Sequence, residues 1–208
     1  MKKKLIFLTN IFLCILFIRF VSAAGTAGSL NINIIESQCL LDFGEGWNFF
    51  SFCRNLIDKN ASNVFSSAEN NYRYIMRWNQ EKQEFDIFSP RSSRNPVPDL
   101  NDDESYFIYF YSNSYLDVNG TSPGDESRNL VEGWNAPSYQ LGFSKTIDSL
   151  TLPIEYQYRY IMKWNLSRQE FDIFSQKSLK NPFGTIDQEE GFFIYSKEDL
   201  ILNIFNMQ

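Results

Sequence analysis

The chain has 208 residues, with 25 acidic against 19 basic side chains, a formal net charge of −6 and no histidine. Without an imidazole, Ser-His-Asp and Cys-His nucleophile arrangements and His-ligated metal sites are excluded. The acidic balance argues against nucleic acid as a partner.

The first residues, "MKKK" followed by an apolar run, read as a secretory signal peptide over 1–23, with Val21-Ser22-Ala23 as the small-residue cleavage site. The other reading is an uncleaved membrane anchor. Thr9, Asn10 and Arg19 break the run below the ~18 clean apolar residues of a spanning helix, which favours cleavage. A membrane is thus a partner only if the segment stays. Cleavage removes Lys2, Lys3, Lys4 and Arg19, leaving 15 basic and 25 acidic residues and a net charge of −10. The expected location is extracellular or at the cell surface.

Residues 24–37 form an N-terminal extension, in which 30–35 reads as a strand. Cys14 leaves with the signal. Cys39 and Cys53 remain, and in an oxidising compartment they predict a disulfide worth about 3 kcal/mol on the chain-entropy model; the alternative is two buried thiols.

The rest of the chain is written twice. "YRYIMRWNQEKQEFDIFS" (72–89) returns as "YRYIMKWNLSRQEFDIFS" (158–175), with 14 of 18 positions identical. "EGWN" occurs at 45–48 and 132–135, and "ESYFIY" (104–109) answers "EGFFIY" (190–195). The offset is 86 from Tyr72 onward and 87 at Trp47 and Trp134, too long for a solenoid unit and suited to tandem modules. The expected organisation is a first β-repeat over 38–119, a polar linker over 120–127 and a second β-repeat over 128–208.

Within each copy the elements follow in the same order. "GWNFFSF" (46–52) is a strand opened by a Gly turn, and short helices are expected near 61–68 and 146–152, the first capped by Asn60 or Ser62. Residues 72–78 alternate as a strand does, and "NQEKQE" closes a hairpin. One register serves both hairpins: Trp78 opposite Phe85, Met76 opposite Ile87 and Arg77 opposite Asp86, then Trp164 opposite Phe171, Met162 opposite Ile173 and Lys163 opposite Asp172. That alternation turns Ile75, Phe88, Ile161 and Phe174 outward, as two small patches able to bind a surface with avidity or to pack the modules together. "YFIYFY" (106–111) is apolar on both alternations and reads as a strand covered on two sides. The fold class is all-β: two tandem small β-sandwiches or partly open barrels.

"GWN" opening a strand, "YIMRWN…QEFDIFSP" and "ESYFIY" together resemble a β-repeat of exported and surface-layer-associated archaeal proteins. Its pattern runs GWNL-[IV]-S, an aromatic strand ending in Trp, then G-[KR]-G-Y-[WF]-I. The resemblance covers about residues 38–118 and 128–206. It implies an extracellular, non-catalytic module and brings no catalytic residue. The chain departs from the pattern at the last motif, where Glu189-Glu190-Gly191 keeps one Gly and Asp103-Glu104-Ser105 keeps none.

Little in the sequence points to chemistry. The acidic clusters "NDDE" (101–104) and "IDQEE" (186–190) read as solvated loops rather than as a glycosidase pair, which needs two carboxyls ~5–10 Å apart across a cleft. Asp117, Asn119 and Asp125 offer hard oxygens around a Gly turn as weak calcium candidates, without EF-hand spacing. Asn60, Asn119 and Asn165 open N-glycosylation sequons. No cofactor is expected. The predicted role is structural or interactive at the cell envelope, with envelope protein or polysaccharide as partner. The alternatives are a bivalent carbohydrate- or partner-binding adhesin and, more distantly, a carboxylate hydrolase.

Overall fold

The computed structural model describes residues 39–94 and 99–204. The signal segment, the strand expected at 30–35 and Asn95-Pro96 lie outside the described residues.

The first copy contributes β1 (Leu40–Phe43), β2 (Gly46–Ser51), β3 (Asn55–Leu56), α1 (Ala61–Val64), β4 (Tyr72–Asn79), β5 (Glu84–Phe88), β6 (Ser105–Phe110), β7 (Ser114–Asp117) and β8 (Gly120–Thr121). The second contributes β9 (Glu126–Leu130), β10 (Gly133–Asn135), β11 (Lys145–Thr146), α2 (Ile147–Thr151), β12 (Tyr158–Asn165), β13 (Glu170–Ser175), β14 (Thr185–Ile186), β15 (Phe192–Ser196) and β16 (Leu200–Ile204). The fold is all-β, and the sheets are open. Each copy is built on one antiparallel four-stranded sheet, ordered β2-β6-β4-β5 and β10-β15-β12-β13. Both hairpins take the expected register, Trp78 to Phe85 and Trp164 to Phe171.

Local chemistry explains the punctuation. Asn60 caps α1 by accepting from the amides of Ser62 and Asn63, and Thr146 caps α2 at Ser149. In each hairpin the Asn that ends the first strand does two jobs. Asn79 accepts from the Lys82 amide at 3.1 Å and donates to Asp86 at 3.1 Å; Asn165 accepts from Arg168 at 3.1 Å and donates to Asp172 at 3.0 Å.

The sheets are covered on both faces. One face of each carries its own copy's core: Phe50, Phe52, Tyr72, Ile75, Phe88, Tyr106, Ile108 and Phe110 in the first, Tyr158, Ile161, Phe174, Phe192 and Ile194 in the second. The other faces meet each other. Phe49, Phe107, Ala136 and Phe193 form a third core, flanked by Trp47, Met76, Trp78 and Phe85 from one copy and by Trp134, Met162, Trp164 and Phe171 from the other. Glu36–Gln208 is therefore one compact unit, where two modules on a linker were expected. The stretch read as linker is itself partly strand: Gly120 and Thr121 pair with Leu56 and Asn55, and Glu126 already pairs with Ile204.

This two-sided burial corrects the outward patch. Ile75, Phe88, Ile161 and Phe174 are at most 8 % exposed. Alternation separates the two faces of a strand but cannot say which one meets water when both are covered. On the open edge strands β5 and β13 the half-exposed apolar residues are instead Ile87 and Ile173.

Candidate functional site

The most strongly repeated letters converge on the seam between the copies. The Gln83 side chain accepts from the Trp134 amide at 2.8 Å and donates to the Trp134 carbonyl at 3.0 Å, and the Trp78 indole donates to that same carbonyl at 2.8 Å. In the opposite direction, Gln169 accepts from the Trp47 amide at 2.8 Å and donates to its carbonyl at 3.1 Å, while the Trp164 indole donates there at 2.8 Å. Each hairpin thus grips the "GWN" turn of the other copy. Within that turn, Asn48 and Asn135 close their own loops, bonding Gly44 and Val131 respectively through both amide and carbonyl.

The glycines of "GWN" are required by this grip. Gly46 and Gly133 have φ of +93° and +106°, and a Cβ at Gly133 would lie 2.8 Å from Gln83 Oε1. Gly133→Ala is therefore expected to cost about 1–3 kcal/mol through backbone strain alone. Gln83→Ala, which strains no backbone but loses two hydrogen bonds to Trp134 and one to the Gln80 carbonyl, should cost less. An unchanged urea midpoint for Gly133→Ala would contradict this reading.

Two short ladders extend the seam. The Ser51 amide donates to Glu189 O at 2.8 Å and Gly191 to Phe49 O at 3.2 Å; reciprocally, Ser138 donates to Asp103 O at 2.8 Å and Ser105 to Ala136 O at 2.8 Å. The departures from the Gly-rich motif have their reason here. At Gly191 an added Cβ would meet Phe50 N at 2.8 Å, so the bulky partner strand demands glycine. Ser105 faces the smaller Ala136 and uses its hydroxyl on the Pro137 carbonyl at 2.7 Å. Pro137, lacking an N–H, sits opposite Glu104 without losing a donor.

Two shallow grooves flank the seam and are built from corresponding residues. One, of about 200 Å³, is lined by Trp78, Asp103, Glu104, Arg128 and Pro137 among others; its counterpart, of about 260 Å³, by Trp164, Asp42, Glu189, Glu190 and Phe50. The recurrent acidic clusters therefore do not sit in free loops. Asp103 pairs with Arg128 at 3.0 Å, Glu104 lies 3.9 Å from Arg77, and Glu190 pairs with Lys163 at 2.7 Å. Burial pushes the Glu104 carboxyl above its ordinary value of 4.5 against the pull of Arg77, pushes Glu126 up despite Arg128, and pushes Glu189 up with help from Asp42. Burial also works to raise Asp86, but its bonds to Arg77 and Asn79 hold it below 3.8, and a Ser144 bond followed by Lys163 lowers Asp187.

These directions predict a pH profile. A folded-state value above 4.5 means that the folded chain holds more protons than the unfolded one, so stability falls as pH rises from 4.5 through the raised values of Glu104, Glu126 and Glu189. The lowered aspartates act oppositely, and their contribution is lost as pH falls below 3.8. Calorimetry should find the highest Tm near pH 4–5, a decline of a few degrees toward pH 7.5, and a steeper loss under stronger acid. A Tm that rises steadily from pH 5 to 7.5 would contradict the assignment.

The remaining candidates fall elsewhere. Cys39 and Cys53 form the disulfide, with Cα atoms 6.0 Å apart, and the Glu189 carboxyl lies within 4.8 Å of its sulfurs. Sulfurs bonded to each other are not thiolate ligands, so this trio makes no metal site in the oxidised chain. Asp117 and Asn119 line a surface groove with Asp58, whereas Asp125 is not among its lining residues, so the three calcium candidates do not converge there. Asn60 and Asn119 are exposed, while the Asn165 amide is committed to Asp172. Asn79 makes the same bond in the first copy without a sequon, so Asn165 is a hairpin residue first.

Sequence reasoning found the hairpin register but missed the seam. The signal that could have found it was the kept Gln83 and Gln169 in otherwise variable loops, at positive φ of 56° and 53°. The chain matches no protein-family model, no curated protein and no solved structure.

Proposed function

We propose that this is an exported, non-enzymatic protein with a structural or interaction role at the cell envelope. The observation that carries this reading is how the repeated residues are used. Trp78, Gln83, Trp164 and Gln169 lock two copies into one body, and the groove carboxylates Asp103, Glu104 and Glu190 are engaged by Arg128, Arg77 and Lys163. The resemblance to archaeal surface-layer-associated repeats supports the same reading, as does the basic and apolar N-terminus.

A second reading, a bivalent carbohydrate- or partner-binding adhesin, is favoured by aromatic side chains that lie just outside the seam on both copies. Cutting the chain in half would not test bivalency, because it would strip the cover from Phe49, Phe107 and Phe193. The test is co-sedimentation of intact mature protein, residues 24–208, with isolated envelopes and with extracted surface polysaccharide. Saturable binding to protein-bearing envelopes alone supports assembly into a surface layer; binding to polysaccharide supports the adhesin. No binding to either would overturn both. If native material is glycosylated, peptide mapping should find glycan on Asn119 or Asn60 and leave Asn165 bare; glycan on Asn165 would contradict this.

A further inference from the structure

On each four-stranded sheet the face that forms the seam continues past it, and there the residue type changes. Along β6, Phe107 lies in the seam and Tyr109 beyond it, with Tyr111 just past the end of the strand; along β15, Phe193 lies in the seam and Tyr195 beyond it. The register extends each tyrosine into a row across three strands. Trp47, Tyr109 and Tyr74 are direct cross-strand neighbours on β2, β6 and β4. Trp134, Tyr195 and Tyr160 are direct neighbours on β10, β15 and β12. The Trp–Tyr centroids are 5.3 and 5.2 Å apart in edge-to-face contact. Tyr160 is 37 % exposed and Tyr111 41 %, and the other rings of the rows are partly exposed.

Three properties separate these rings from core filling. Three of the buried tyrosines bond their hydroxyls internally, Tyr106 to Asn101, Tyr139 to Phe143 and Tyr158 to Thr151. The hydroxyls of Tyr74, Tyr109, Tyr160 and Tyr195 make no hydrogen bond among the described residues. A guanidinium also lies over each row: Arg73 Cζ is 4.9 Å from the Tyr74 ring, and Arg159 Cζ is 5.4 Å from the Tyr195 ring. Neither arginine has a carboxylate partner among the described residues, although the chain carries a net charge of −6.

We infer that each row, with its stacked arginine, is a binding site for an anionic polysaccharide. Aromatic faces take the apolar face of a pyranose ring, free phenol hydroxyls exchange hydrogen bonds with sugar hydroxyls, and the unpaired guanidinium matches a uronate carboxylate. Three strands about 4.8 Å apart set the outer rings of a row roughly 10 Å from each other, the length of about two sugar units. The local charge is what selects the occupant: a neutral glycan leaves Arg73 and Arg159 unused, whereas a uronate carboxylate pairs with the guanidinium beside each row, a local positive charge on a chain that is acidic as a whole. Two such rows on one body add avidity along a repetitive polymer.

This inference rests on the adhesin reading and names its ligand. Polygalacturonate is the probe, with dextran as the neutral control, and intact mature protein is titrated by calorimetry and by tryptophan fluorescence at low salt. Wild-type protein should bind polygalacturonate and not dextran. Tyr74→Ala/Tyr160→Ala should weaken binding at least tenfold with an unchanged far-ultraviolet circular dichroism spectrum and a cooperative thermal transition, and Arg73→Gln/Arg159→Gln should lower affinity by a similar factor. No binding of polygalacturonate, equal binding of dextran, or full affinity in either double variant would overturn the inference. Failure here with polysaccharide binding retained in the envelope assay would sink only the anionic assignment; failure in both would sink the adhesin reading.

Discussion

Phe49→Ala is expected to destabilise the protein by about 3–5 kcal/mol, among the largest losses available to a single substitution here. Its ring is stacked 4.3 Å from Phe107 of its own sheet and 4.9 Å from Phe193 of the other, at the middle of the seam. The corresponding residue of the second copy is Ala136, in the same buried cluster. One large and one small residue fill the space together. Ala136→Phe should therefore overpack the seam, at a cost of about 1–3 kcal/mol. The pair can be exchanged only in part, because the strand beside Phe49 passes Gly191 and the strand beside Ala136 passes Ser105. Phe49→Ala/Ala136→Phe should accordingly recover some of the loss without reaching wild-type stability. Urea unfolding of the four proteins measures the coupling. Strictly additive single effects would show that the two positions do not share one cavity. The same asymmetry makes the copies complementary halves: pairing two first copies would set Phe49 against the Cβ of Ser105, and pairing two second copies would leave Ala136 beside Gly191.

The second large effect lies at Arg128, which is 5 % exposed. It pairs with Glu126 and with Asp103, and donates to Ser138 at 2.9 Å and Gln140 at 2.9 Å. Counting back by the offset of 87, Glu126, Arg128 and Gln140 stand where the first copy has Cys39, Leu41 and Cys53. The tie between the first strand of the copy and the chain following "GWN" is thus covalent in one copy and an ion-paired network in the other. Arg128→Ala leaves the half-buried Glu126 carboxylate unpaired and should cost about 3–5 kcal/mol. Installing the first copy's residues, as Glu126→Cys/Arg128→Leu/Gln140→Cys, should restore stability under oxidising conditions, with a disulfide of the same 14-residue separation worth about 3 kcal/mol. Reductant should remove that gain. Arg128→Ala within 1 kcal/mol of wild type, or a triple variant indifferent to reductant, would contradict the equivalence of the two ties.

The hairpins were legible in the sequence because their pattern is local. Trp78 with Phe85 and Arg77 with Asp86 follow from period-two alternation across a short loop, and two copies obeying one register left few alternatives. The Asn60 cap, one of the two offered for the first helix, the two-sided strand at "YFIYFY" and the Cys39–Cys53 pair are equally short-range or compositional signals. The all-β class followed from them.

What only the tertiary structure decided is where each face points. Ile75 and Phe88 alternate as an outer pair should, yet they lie in their own copy's core, and it is the opposite face, expected to be the inner one, that meets the second copy at the seam. Partners separated by 51 to 122 residues, such as Gln83 with Trp134 and Gln169 with Trp47, leave no periodic trace in the chain. Their only local marks are a glutamine kept in a turn and a glycine at positive φ. Repetition by itself announced that two like modules exist; the unlike pairs Phe49 with Gly191 and Ala136 with Ser105 decide how they fit, since packing at a seam depends on the sum of two facing volumes and neither volume is meaningful alone.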